Sequence, residues 1–243
     1  MLKRLKVIGG CGLVFSVLLF FALQFVRPKG AWAQTQRQVD PHAAFKNEPV
    51  VVTKITYRNT KVQSFRSVKG VGENPDPVTP FQAGDAWVQD LTVYLLNRTN
   101  QTIVHASFTF SFPETTNWAT RFRAVFPLTV GRIPDAFAFE DGRAISQRPD
   151  AQPISFGPGQ VMAIHLGDYI DRIRADVEPS QSLSQLSKMD VGMVSFFFAD
   201  GLRWSGSFRV LDQQTKTWQR ADPNFFPGNQ DARLPGLPGW VEQ

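Results

Sequence analysis

The sequence predicts an all-β domain, arranged as an antiparallel two-sheet sandwich with one short helix. Along most of its 243 residues, short runs rich in Val, Ile, Thr, Phe and Trp are separated by Gly, Pro, Asn and Asp, which is typical of strands and turns. One run alternates apolar and polar side chains, as a strand with one buried face requires. The only cysteine is Cys11, in an N-terminal apolar run, so core burial rather than disulfides must hold the domain together. A jelly roll is the alternative architecture.

The first 33 residues are expected to export the protein. A basic stretch precedes an apolar run over 7–26, and Ala31-Trp32-Ala33 follows, which is the pattern of a secretory signal peptide cleaved before Gln34. The apolar run is also about 20 residues long, enough to span a bilayer, so an uncleaved signal-anchor is the alternative. Either form delivers the body to the periplasm or the extracellular space, because the positive end stays inside.

The formal net charge of +5 belongs to this N-terminal segment, 1–33. Five of the 26 basic residues lie there without an acidic residue, and the remaining chain carries 21 basic and 21 acidic groups. The five are Lys3, Arg4, Lys6, Arg27 and Lys29. A neutral body lacks the positive surface that a phosphate backbone requires, so we expect no nucleic-acid partner. Membrane contact is expected only through 7–26, in the uncleaved form.

The chain after the export segment divides into a linker, a domain and a tail. Residues 34–48 are polar and lack hydrophobic periodicity, so they are expected to form a linker. The sandwich domain is predicted over 49–221 and begins with a strand from 50 to 57, whose partner is 62–68. The Pro- and Gly-rich residues 222–243 are expected to form an extended tail outside the sheets.

A β-hairpin is predicted over 86–112, with a polar turn at 97–101. The second strand of the pair alternates apolar and polar side chains. Phe110 is expected to face the core, whereas His105 and Thr109 lie on the polar face.

Two further features complete the predicted domain. A strand over 161–166 is followed by a short amphipathic helix over 168–177, where apolar residues recur at helical spacing. A second hairpin is predicted over 188–210, with Asp200-Gly201 as its turn.

The C-terminal part of the domain carries a recognisable combination of motifs. An aromatic strand, an Asp-Gly turn and Arg203-Trp204 occupy 191–204, and Asp222-Pro223-Asn224 follows. This combination resembles the ending of uncharacterised secreted bacterial proteins that are similar to immunoglobulin- or fibronectin-like sandwiches. The resemblance covers 87–224 and implies that type of sandwich. Since the family has no agreed activity, the resemblance implies no catalytic residue.

The sequence contains no recognisable catalytic, metal-binding or cofactor-binding motif. His42, His105 and His165 are far apart, and no cysteine pair or His-Glu helix motif accompanies them. Neither a nucleophile elbow nor a phosphate-binding glycine loop occurs. We therefore expect no catalytic residue, no metal and no cofactor, with the histidines at surface or half-buried positions.

One polar stretch is a candidate contact for a partner. Residues 115–123 place Trp118 beside Arg121 and Arg123, and Trp and Arg are common anchors of protein interfaces. The structural alternative is that Trp118 closes one end of the sandwich with an arginine stacked on its ring.

These observations favour an exported, non-catalytic module of the cell envelope that supports or recruits an envelope protein. A carbohydrate-binding module is the first alternative; it would present coplanar aromatic rings to a polysaccharide. A hydrolase is the second, because sandwich loops can assemble a site from scattered residues that no linear motif announces. A cleft that gathers His, Asp and Ser would support the hydrolase.

Overall fold

The computed structural model describes residues 35–41, 48–64 and 78–221. Within these ranges the chain is mostly β-structure with one short α-helix, which confirms the all-β prediction at this level. The predicted export segment over 1–33 and the predicted tail over 222–243 lie outside the described residues. In the described part, none of the helices combines the length and the apolar character needed to cross a membrane.

The described elements comprise short strands and the helix α1 (Ile170–Val177). In chain order the strands are β1 (Thr35–Pro41), β2 (Val50–Tyr57), β3 (Thr60–Ser64), β4 (Phe81–Ala83), β5 (Leu91–Asn97), β6 (Ile103–Ser111), β7 (Val125–Gly131), β8 (Phe139–Glu140), β9 (Arg143–Ala144), β10 (Val161–His165), β11 (Lys188–Phe198), β12 (Leu202–Trp204), β13 (Phe208–Asp212) and β14 (Thr217–Arg220). The predicted helix and the predicted strands over 50–57 and 161–166 are confirmed.

The small sheet has four antiparallel strands in the order β10-β5-β2-β3. Strands β2 and β3 form a hairpin, and Arg58 and Asn59 at its turn have φ of 48° and 66°. Two successive left-handed residues give the turn a twist that matches that of the strands. Of the predicted partner strand 62–68, the structure describes the part up to Ser64.

The large sheet is built around β11, its longest strand. Strands β6 and β7 lie on one side of β11, while β12, β13 and β14 follow on the other side. The predicted hairpin around Asp200-Gly201 is confirmed, because β11 and β12 pair across it. Its second strand is interrupted by a turn at 205–207, where the Ser205 N–H donates to the Ser207 carbonyl.

Buried side chains from both sheets form one hydrophobic core. Phe110 of β6 is fully buried and stacks on Phe126 of β7, with ring centroids 6.1 Å apart. Trp87 and Trp204 are also fully buried. Burial of such large aromatic side chains supplies stability that a chain without disulfides needs.

The predicted hairpin over 86–112 is wrong, although both of its strands exist. Strand β5 pairs with β2 and β10 in the small sheet, whereas β6 pairs with β7 and β11 in the large sheet. The connection therefore crosses from one sheet to the other. Asn97 holds this crossing, since its side-chain Nδ2 donates to the carbonyls of Gln101 and Phe156, each 2.8 Å away.

The predicted linker over 34–48 is wrong in its first half, which forms β1. This strand pairs in parallel with β11, so the large sheet is mixed rather than wholly antiparallel. Arg37 of β1 is 1% exposed and donates to the carbonyls of Leu186 and Ser184, with its guanidinium 5.6 Å from the ring of Trp87. The polar sequence conceals this strand because its buried arginine bonds to carbonyl groups that are distant in sequence.

A covering segment, residues 132–151, folds over the outer face of the large sheet. It follows Gly131, whose φ is +85°, and a Cβ there would lie 2.3 Å from the Val104 carbonyl oxygen. Only glycine allows this close approach at the turn. Ile133 and Ala138 of the segment pack with Val104 and Phe197 in a second apolar cluster.

Candidate functional site

The predicted contact loop over 115–123 projects two aromatic side chains into solvent. Trp118 is 86% exposed and Phe122 is 78% exposed. The structural alternative for Trp118 is wrong, because a tryptophan that closed the sandwich would be buried. Phe122 was not among the residues predicted for a contact, since phenylalanine is usually a core residue and its neighbours carry no alternating pattern.

Hydrogen bonds hold this loop in a tight hairpin-like turn. The Asn117 N–H donates to the Phe122 carbonyl over 2.8 Å, and the Arg121 N–H donates to the Asn117 carbonyl over 2.7 Å. The Asn117 side-chain oxygen accepts from the N–H groups of Ala119 and Thr120. Arg121 adopts a left-handed conformation with φ of 58°. The loop thus presents its aromatic side chains on an organised backbone.

The two arginines of the predicted contact differ in their surroundings. Arg121 is exposed beside the aromatic side chains. Arg123 forms an ion pair with Asp190 of β11, with 3.2 Å between its Nη1 and the carboxylate, and both side chains are partly exposed. Arg123 therefore ties the loop to the sheet, whereas the Arg121 side chain extends into solvent.

The two described histidines differ in burial: His105 is more buried than the surface or half-buried position expected for it, whereas His165 lies at the surface, as expected. His105 is 8% exposed, because the covering segment lies over the polar face of β6. His165 is exposed, and its Nδ1 is 3.0 Å from the Thr92 hydroxyl. His42 lies outside the described residues. In the described ranges, no three His, Cys, Asp or Glu side chains come together as a metal site.

A cavity of about 460 Å³ lies between the outer face of the large sheet and the covering segment. Buried His105, Ser195 and Phe197 contribute to its lining. Exposed Arg148 and Arg172 line it as well, one from the covering segment and one from α1. Among the described residues, the lining contains no carboxylate.

The imidazole of His105 is neutral in this cavity at pH 7. Burial, and to a lesser extent the positive charge of Arg203, lowers the pKa of His105 from 6.5 to about 4. Its Nδ1 is buried, and no described residue provides it with a hydrogen-bond partner. Neutral His105 therefore adds no positive charge to the cavity wall.

Arg203 of β12 anchors the covering segment at one end of the cavity. Its guanidinium forms an ion pair with Glu140 of β8. The same group lies 5.2 Å from the ring centroid of Phe197 and 5.6 Å from that of Trp218. These contacts hold the group in place and offset its charge with that of Glu140.

Gln147 fixes the position of the covering segment from within. Its side-chain oxygen accepts from the Ile133 N–H over 2.7 Å, and its side-chain nitrogen donates to the Ile133 carbonyl over 2.8 Å. This reciprocal pair closes the segment into a loop. The covering segment is therefore held by hydrogen bonds between its own residues as well as by packing on the large sheet.

The cavity could not be predicted from the sequence, because its lining comes from β6, β7, the covering segment, α1, β11 and β12. The one sequence feature that pointed towards the cavity was the polar face of β6, which begins with His105. No family model, curated protein or solved structure matches this chain.

Proposed function

We propose that this protein is an exported, non-catalytic module of the cell envelope that binds another envelope protein through the loop over 115–123. The observation that carries the proposal is the joint exposure of Trp118 and Phe122 on a hydrogen-bonded turn. Aromatic side chains held in one conformation lose little entropy on binding, and Trp and Arg dominate the energetics of many interfaces. Arg121 adds a charged group that can form hydrogen bonds beside them.

A protein partner fits this surface better than a polysaccharide. Sugar-binding modules present at least two exposed Trp or Tyr rings, and Trp118 is the one exposed Trp or Tyr among the described residues. Phe122 has no polar atom with which to bond a sugar hydroxyl. The hydrolase alternative has weaker support, because the cavity brings His105 and Ser195 into one lining without a carboxylate from the described residues.

We also propose the immunoglobulin- or fibronectin-like type for the sandwich, with the jelly roll as the alternative. The support is a four-stranded antiparallel sheet that shares one core with a larger sheet, together with the crossing between them after β5. In such sandwiches, consecutive strands commonly belong to opposite sheets.

Export is proposed from the sequence pattern of 1–33. The test is to express the full chain in a bacterial host and to fractionate the cells. We expect the protein in the envelope or medium, with a mature N-terminus at Gln34, or as an intact chain that sediments with membranes. A full-length chain that is soluble in the cytoplasm would contradict export.

The proposed interface can be tested by comparing two double variants, one in the loop and one elsewhere on the surface. The double variant Trp118→Ala/Phe122→Ala removes the exposed rings of the loop, and Val161→Ala/Val210→Ala truncates two side chains of 55% and 49% exposure in other strands. We expect the purified wild-type chain to capture a defined envelope protein that the loop variant does not capture.

The captured protein is then purified and its affinity is measured for each variant. Substituting interface anchors weakens binding by about 2 kcal/mol or more each, so the loop variant should bind at least about a hundredfold more weakly, and the control should bind like wild type. Equal affinities of the wild type and the loop variant would exclude this loop. Preferential binding of the wild type to lipid vesicles or polysaccharide would replace the protein partner with that ligand.

A further inference from the structure

We propose that the cavity beneath the covering segment binds a small organic anion through a carboxylate or phosphate group. The site is separate from the loop over 115–123 and does not depend on the function proposed for that loop. It is built from residues of the folded sheet, the covering segment and α1.

The charge of the lining favours an anion. Arg148, Arg172 and Arg203 contribute to it, and only Arg203 forms an ion pair with a described carboxylate, that of Glu140. Arg172 lies 5.2 Å from the ring centroid of Phe126, which restrains its guanidinium beside the cavity. The positive charges of Arg148 and Arg172 are therefore not paired with a described carboxylate. Both side chains lie at exposed positions, where they can attract an anion from solvent. Guanidinium groups bind carboxylate and phosphate with paired hydrogen bonds.

The inner part of the lining favours the rest of an organic molecule over a bare inorganic ion. The hydroxyl groups of Ser107, Ser195 and Thr129 provide donors and acceptors. Hydroxyl groups of a ligand placed there would form hydrogen bonds with these side chains. Phe197 supplies an apolar surface beside them.

The size of the cavity agrees with a compact ligand. A volume of about 460 Å³ lies within the range of about 300–1,000 Å³ that small-molecule sites occupy. The Gln147 pair with Ile133 and the Arg203 pair with Glu140 hold the covering segment in place, so its backbone needs little ordering on binding.

The test uses probes that differ only in the anionic group. Glucuronate and glucose 6-phosphate are titrated into the full chain by calorimetry, with glucose as the uncharged control. We expect binding of at least one anion at concentrations up to about 10 mM, weaker at high salt, and no binding of glucose. Preference for one anion distinguishes carboxylate from phosphate. Failure of both anions to bind, or equal binding of glucose, would overturn the proposal.

Substitutions of arginines inside and outside the lining show whether the anion binds in this cavity. Arg148→Ala and Arg172→Ala should each weaken binding by about tenfold or more, because each removes a cation of the lining. Arg143→Ala in the same segment and Arg174→Ala in the same helix remove exposed arginines that do not line the cavity. They should leave the affinity unchanged. Equal losses in the two sets would show that anions bind the general surface charge, and the proposal would fail.

Discussion

Phe197 packs edge-on against His105, with ring centroids 5.3 Å apart and ring planes at 89°. The two residues lie opposite each other in β11 and β6 and are both buried under the covering segment. This position deprives the imidazole of water, and the nearby charge of Arg203 further disfavours a second positive charge. The pairing therefore makes His105 a group whose protonation opposes folding.

We expect His105 to make the domain less stable in mild acid. Its pKa is about 4 in the folded protein and about 6.5 when unfolded, so between these values the unfolded chain binds the extra proton. The stability contributed by neutral His105 is present above pH 6.5 and is lost as the pH falls towards 4. Between pH 7 and pH 4.5 the free energy of unfolding should fall by about 2 kcal/mol through this group.

Urea denaturation of wild type, His105→Gln and His165→Gln at both pH values measures this effect. Because glutamine does not titrate, the His105 variant should lose about 2 kcal/mol less than wild type on acidification. The His165 variant, altered at an exposed site, should follow wild type. The same acid loss in wild type and His105→Gln would show that this imidazole is not held neutral.

Asn97→Ala is expected to destabilise the crossing between the two sheets. The Asn97 side chain is fully buried; besides its bonds to two carbonyls, its oxygen accepts from the N–H and the hydroxyl of Thr99, over 2.9 and 2.7 Å. Removing it leaves several buried groups unsatisfied, at a cost of about 2–4 kcal/mol in unfolding free energy. Asn100→Ala, at an exposed position three residues later, should cost less than about 0.5 kcal/mol. Similar losses of unfolding free energy in the two variants would show that the Asn97 side chain does not stabilise the crossing.

Gly201→Ala is expected to disturb the contact between the β11–β12 turn and the covering segment. Gly201 has φ of +88°, and a Cβ there would lie 2.3 Å from Cε1 of Phe137. Gly142→Ala is the matched control, since its φ is +77° but the nearest atom to a Cβ is the Thr215 carbonyl oxygen at 3.6 Å. Both variants carry backbone strain of about 1 kcal/mol, and the clash should add about 1–3 kcal/mol at Gly201 alone. Thermal unfolding of the two variants decides this; equal Tm values would mean that Phe137 moves aside without cost.

Phe110→Ala and Thr109→Ala test the face assignment of β6. Phe110 is fully buried in the core, whereas Thr109 is half-buried on the opposite face. We expect a loss of about 3–5 kcal/mol for the phenylalanine, from lost burial and the cavity that remains, and less than about 1 kcal/mol for the threonine. Chemical denaturation gives both values, and comparable losses would indicate a shifted register.

Local patterns in the sequence predicted several elements with correct bounds. The strands β2 and β11 and the turn at Asp200-Gly201 follow from β-branched or aromatic runs and from turn chemistry, both of which depend on neighbouring residues. The apolar spacing over 168–177 likewise predicted a short helix, which the structure begins two residues later, at Ile170. Such features are readable because steric preference and side-chain alternation act within a few residues.

The pairing partners of β1, β5 and β6 were beyond the sequence. The alternation in β6 identifies its buried face, but a period of two says nothing about whether the next strand in sequence lies in the same sheet. The crossing after β5 depends on Asn97 meeting the Phe156 carbonyl, and these residues are 59 positions apart. Likewise β1 exists because Arg37 finds carbonyl partners at 184 and 186.

The sequence by itself determined the β-rich composition of the domain, the neutral charge of its body and the polar composition of the loop around Trp118. Tertiary structure alone decided that β5 and β6 lie in different sheets, that His105 is buried, that Trp118 and Phe122 are exposed and that arginines at 148, 172 and 203 share one cavity. The physical reason is that burial and electrostatic environment are set by contacts between distant residues. Local sequence determines which conformations are available, and long-range packing selects among them.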